Sequence, residues 1–132
     1  MADHPNAELF KKGYAAFAAG DMETVRSLFA PDIVWHVSGK SHFAGDYTGV
    51  DSVLELFTQY FEESGGTFRV DAPHDIVAND THGVAMTALS AQKDGKSLNS
   101  ERYVHVVHMN DGLQTESWIF AGNQDVIDDF WG

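Results

Sequence analysis

At 132 residues the chain has the length of one domain, read here as 1–132, and its 43% apolar and 21% charged residues describe a globular protein rather than a disordered one. A net charge of −12 repels polyphosphate, so no nucleic acid partner is expected, and anionic membrane surfaces are disfavoured for the same reason. The absence of cysteine excludes disulfide frameworks, thiol nucleophiles and cysteine-based zinc sites. The start, Met-Ala-Asp-His-Pro, lacks the basic and apolar runs of a signal peptide, and no stretch is long enough to cross a bilayer. The expectation is a cytoplasmic protein with no membrane partner.

A first helix is expected from about Asn6 to Ala19, because Phe10, Tyr14 and Phe17 form one stripe at helical spacing. Gly20 suits its C-terminal end, and Asp21 can cap a second helix whose Met22, Val25, Leu28 and Phe29 face inward until Pro31 stops it. Ile33 to Val37 reads as a short strand. Ser38 to Gly49 is polar, holds three glycines and reads as a loop. Asp51 can cap a third helix running to about Glu63, with Val53, Phe57 and Tyr60 on its inner stripe.

From Thr67 the period shifts towards two. Strands are expected at Thr67–Val77, Val84–Gln92, Leu98–Met109 and Leu113–Gly122, with turn signals at Asn79-Asp80, Asp94-Gly95 and Asn110-Asp111-Gly112. The last three form an antiparallel meander. A short helix from Asp125 to Trp131 closes the chain. Helices first and strands later make an α+β fold. The strands carry large side chains on both faces, so the outer face of the sheet calls for a cover, and a second copy of the chain is the simplest one. The concave face is either filled by side chains or leaves a cavity. With aromatic residues at 12%, a pocket for a small apolar molecule is one use for them.

The segments Ala18-Ala19-Gly20-Asp21, Leu28-Phe29-Ala30-Pro31-Asp32, Val34-Trp35-His36, Gly45-Asp46-Tyr47-Thr48-Gly49, Asp111-Gly112-Leu113 and Glu116-Ser117-Trp118 occur in this order along nearly the whole chain. Together they resemble the SnoaL-like, ketosteroid isomerase-like branch of the nuclear transport factor 2-like superfamily. The resemblance implies a cystatin-like α+β barrel: a conical, strongly curved, mainly antiparallel sheet wrapped around three N-terminal helices and enclosing a pocket. It also implies a homodimer through the outer face of the sheet. Relatives of this fold include isomerases, polyketide cyclases, dehydratases and binders without activity, so the fold alone does not fix a reaction.

The resemblance places the general base of ketosteroid isomerases at His36 and a second acid at His105. It places the oxyanion-hole tyrosine at Gly13, with Tyr14 one residue late and about 100° around the helix. The carboxylates of that mechanism are therefore replaced, and a steroid isomerase is not expected. An acidic residue common after the last strand's tryptophan falls at Asn123, which cannot exchange a proton as a carboxyl does.

His36 is the first catalytic candidate, since imidazole can serve as base and then as acid near neutral pH. It is otherwise a wall residue that binds without turnover. His105 either polarises a carbonyl or is a structural histidine bonded to Glu116 or Glu101. Tyr14 and Phe57 are core or pocket lining. Tyr47 donates to a ligand from a lid or covers the sheet edge, and Trp118 is a wall of the pocket or of the dimer interface. No metal ligand spacing is present; His105 and His108, three apart on a strand, face opposite sides. No cofactor is expected. Two functions remain: a cofactor-free isomerase, cyclase or dehydratase that moves a proton next to a carbonyl, and a small-molecule binding protein without turnover.

Overall fold

The computed structural model describes residues 3–132. Helix α1 (Pro5–Ala18) starts with proline at its first position, where the missing N–H costs nothing, and with the His4 ring accepting from the Asn6 N–H. Helix α2 (Met22–Ser27) is capped by Asp21. It ends four residues before Pro31, earlier than its apolar pattern predicts. Proline drives the residue before it out of the helical region, so Phe29 and Ala30 join a strand instead. That strand, β1 (Phe29–Val37), is followed by β2 (Gly45–Thr48), α3 (Val50–Glu63), β3 (Arg69–Val70), β4 (Asp75–Ala78), β5 (His82–Lys93), β6 (Lys96–Asn110), β7 (Leu113–Ala121) and α4 (Gln124–Trp131).

The sheet runs β2-β1-β7-β6-β5-β3, with β4 also paired to β5. All neighbours are antiparallel except β1 and β7. It is curved, does not close, and holds the N-terminal helices against its concave face, which is the α+β cone expected from the sequence. The meander β5–β6–β7 turns at Asp94-Gly95 and Asp111-Gly112, where both residues of each pair have positive φ, as a type I′ hairpin requires.

Two further expectations are corrected. The presumed loop 38–49 contains β2, an edge strand that pairs Tyr47 with Trp35; this partnership overrides the poor strand propensity of Gly45 and Asp46. The single strand expected over 67–77 is split into β3 and β4. Pro73, which has no N–H to donate, lies between them, while Asp71 N and His74 N keep bonds to Ala88 O and Met86 O.

The larger core cluster lies between α3 and the sheet around Ile33, Val53, Leu56 and Leu98. A smaller one lies under α1 around Phe10, Ala85, Val107 and Met109. Helix α4 seals the assembly by burying Phe130 and Trp131. Lys93 and Lys96 of the β5–β6 hairpin donate to the Trp131 and Asp129 carbonyls, where a helix end welcomes cations. Asn123 is the N-cap of α4 and accepts from Val126 N, which accounts for an amide at that position. Among the described residues no helix is long and apolar enough to cross a membrane.

Candidate functional site

The pairing register decides which side chains share a face. Trp35 lies across from Ser117, and His105 from Ile119, so Trp35, Val37, Tyr103, His105, Ser117 and Ile119 point towards the helices. The alternate set, Val34, His36, Val104, Val106, Glu116 and Trp118, points away. On β7 the inward set is the smaller one: Ser117 and Ala121 face in, Trp118 and Phe120 face out. That choice leaves room inside.

A cavity of about 140 Å³ remains between the sheet, α1, α3 and α4. Its wall is mainly aromatic and aliphatic, including Phe17, Trp35, Phe43, Phe57 and Tyr60. Phe57 stands edge-on to Trp35 at 5.1 Å and to Phe17 at 5.4 Å, so these rings brace one another. An apolar void of this size holds a guest on the scale of one aromatic ring.

One end of the cavity is polar. His105, 4% exposed, places Nδ1 2.8 Å from the Tyr14 hydroxyl and Nε2 2.5 Å from Ser117 Oγ. Tyr14 lies 3.3 Å from the Tyr103 hydroxyl. The rings of Phe10 and Trp35 close on the imidazole, each at 5.0 Å. Burial among these rings lowers the His105 pKa to about 3, so the ring is neutral at physiological pH. Burial also raises both tyrosines above their usual range, Tyr14 well above it, so both keep their protons.

A neutral imidazole has one donor and one acceptor, which gives the chain two states. In one, Ser117 donates to Nε2, Nδ1–H donates to Tyr14, and Tyr14 donates to Tyr103, whose proton is free for a ligand oxygen. In the other every bond reverses, and the Tyr103 oxygen is left to accept. The same four residues can therefore meet either a carbonyl or a hydroxyl while remaining uncharged themselves.

The sequence candidates separate on this geometry. Tyr14, Phe57 and His105 line the cavity. The partners expected for His105, Glu101 and Glu116, are not the ones it has. Glu116 is on the opposite face, and Glu101 lines the cavity with Oε2 accepting from Asn99 N at 3.4 Å. His36 is not a cavity residue, which corrects its assignment as the base there. It stacks on Trp118 at 5.2 Å on the outer face, with Nδ1 2.7 Å from Asp46 and Nε2 2.6 Å from Glu116. Those two carboxylates, Glu116 first, raise its pKa. Trp118 shares that outer face and is not a wall of the cavity. Tyr47 does not act as a lid: its hydroxyl donates to Phe43 O, and its ring packs against the larger cluster.

Sequence reasoning missed Ser117, Tyr103 and Gln114. The signal for the first two was strand parity. Once Trp35 is counted inward, every second residue of β6 and β7 in register with it follows, but that register needed the structure.

Residues 10–117 match the SnoaL-like domain family. An uncharacterized protein of Mycobacterium tuberculosis is 31% identical over 132 residues, 99% of each chain. Among solved structures, Bal32a from a soil-derived mobile gene cassette superposes with a TM-score of 0.91 at 30% identity, covering 97% of each chain. TerC, co-crystallized with polyporic acid, gives a TM-score of 0.83 at 22% identity over 97% of this chain and 98% of that one. With the family match spanning most of its length, the chain belongs to the SnoaL-like family.

Proposed function

We propose that the protein binds one small, predominantly apolar molecule in the cone and moves a proton next to that molecule's carbonyl, as an isomerase, cyclase or dehydratase without a cofactor. The observation that carries this reading is the neutral Tyr103–Tyr14–His105–Ser117 chain at the end of a mainly apolar cavity. Hydroxyl donors fixed in a dry, low-dielectric site stabilise a developing enolate oxygen far better than water-exposed ones. His105 supports the donors as a relay and does not itself hold the abstracted proton, because its protonated form is strongly disfavoured. Glu101 is the one carboxylate on the cavity wall and lies two residues from Tyr103 on the same face of β6, so it is assigned the base. The co-crystallization of TerC with polyporic acid supports an organic ligand for a chain of this fold.

Acetophenone in D₂O tests the reading, with NMR following both its binding and the exchange of its methyl protons. Catalysed exchange is expected, lost by about a hundredfold or more in Glu101→Gln while binding persists. Binding with no exchange in the wild type selects the second reading, a binding protein without turnover. The engagement of Glu101 by Asn99 N–H favours that alternative.

The proposal extends to a homodimer through the outer face of the sheet. There Val77 and Phe120 are 51% and 52% exposed beside Val84, Val104, Val106 and Trp118, a continuous apolar strip that a second copy would cover.

A further inference from the structure

Gln114 is 3% exposed and lines the cavity, and its Oε1 is the one buried side-chain polar atom without a hydrogen-bond partner among the described residues. Natural proteins seldom leave such an atom bare. Its inward direction is built into the fold. Met109 pairs with Gln114 while its neighbour His108 pairs with Glu116, so β7 carries one extra residue, Thr115, at this point. Without that bulge the inward alternation of Ser117 would continue to Thr115 and turn Gln114 outwards; re-aiming a side chain is a characteristic use of a bulge. The neighbouring helix makes space as well. A Cβ at Gly13 would stand 3.9 Å from Gln114 Nε2 and 3.5 Å from Leu28 Cδ1, ordinary contact distances, so only a side chain longer than that of alanine would compete with the amide for this space. Gly13 is also the position to which the family resemblance assigns an oxyanion-hole tyrosine, and here a glutamine from the opposite strand faces the space instead.

We propose that Gln114 determines ligand specificity: its amide oxygen selects molecules that present a hydroxyl or N–H donor on an apolar, ring-sized frame. This rests on the reading of the cavity as a ligand site. The bound molecule then carries two polar points, an oxygen held by the tyrosine chain and a donor held by Gln114. The class that fits is a hydroxylated or amino-substituted aromatic or alicyclic carbonyl compound rather than a bare hydrocarbon or a simple ketone.

Phenol and toluene, nearly equal in size, separate the possibilities by titration against the wild type, Gln114→Leu and Gln114→Met. In the wild type phenol is expected to bind about tenfold more tightly than toluene, the worth of one good buried hydrogen bond. Both variants are expected to reduce that preference to within about twofold, and to melt at or above the wild-type temperature because an orphan acceptor has been removed. Equal binding of the two ligands by the wild type overturns the proposal and makes a bound water the partner of Oε1. A phenol preference that survives both substitutions overturns it too, and assigns the selectivity to the tyrosine chain. If the wild type binds neither ligand, the cavity reading falls and takes this proposal with it. A Gln114 failure with toluene still bound leaves that reading intact.

Discussion

His105 and His36 stand on opposite faces of one sheet, and their surroundings push them in opposite directions. His105 is enclosed by Phe10, Trp35, Tyr14 and Ser117, with hydroxyls as its only polar partners, and burial holds it neutral. His36 has one ring face on Trp118 and a carboxylate at each nitrogen, and those charges favour its protonated form. The inner face therefore uses imidazole as an uncharged link in a hydrogen-bond chain. The outer face holds it between two carboxylates that favour its protonated form. The side of the pleat on which a histidine stands decides what chemistry it can do.

The two tryptophans test the difference between the faces most strongly. Trp35 is 7% exposed inside the larger cluster, and Trp35→Ala is expected to cost about 3–5 kcal/mol of unfolding free energy. Trp118 is half-buried on the outer face, so Trp118→Ala should cost the isolated protomer less than half as much. Urea titrations of both variants at a concentration low enough to populate monomers provide the check. Equal losses would erase the distinction between a packed face and an open one.

How much of this was legible beforehand depended on the range of the signal. The helices carry apolar stripes at i, i+4 and i+7, and two hairpins carry Asp-Gly, so both were readable from a few adjacent residues. Facing in the sheet was not readable in this way. On β7 the larger side chains, Trp118 and Phe120, turn outward and the small Ser117 and Ala121 turn inward, the reverse of what hydrophobicity and size predict. The reason is physical: small side chains on the inward face leave space beneath the helices that large ones would fill. The Gln114 bulge is a one-residue shift between distant positions, and no local pattern announces it.

The histidines should also separate by pH, with opposite signs. The folded-state pKa of His105 is depressed to about 3, so between there and the unfolded value near 6.5 the unfolded chain binds the extra proton. Its neutral burial thus contributes stability above pH 6.5 that is lost as pH falls, with a limiting slope of about 1.4 kcal/mol per pH unit. His105→Gln removes this titration, so its penalty relative to the wild type should shrink from pH 7.5 to pH 4.5. For His36 the folded pKa is raised. Its contribution is complete below the unfolded value and is lost as pH rises through the folded one, so the penalty of His36→Gln should shrink in the alkaline direction. Thermal melts of the three proteins across this range suffice. Parallel pH profiles for the two variants would break the comparison.

The smallest effect expected on the protomer is the one that most sharpens the role of the outer face. Val77 and Phe120 each leave about half of their surface in solvent, and their cross-strand partners are Val84 and Val104. Replacing both by serine removes little that the single chain has buried, so each change should alter protomer stability by no more than about 0.5 kcal/mol. In a dimer seated on this strip the same two changes remove apolar area from the centre of the interface. Sedimentation at micromolar concentration should then find the wild type as a dimer and Val77→Ser/Phe120→Ser as a monomer. Their melting temperatures should converge on dilution, because only association separates them. A wild type that sediments as a monomer would leave the outer tryptophan and histidines as surface features. The contrast between the faces would then be one of burial alone, without a partner to account for it.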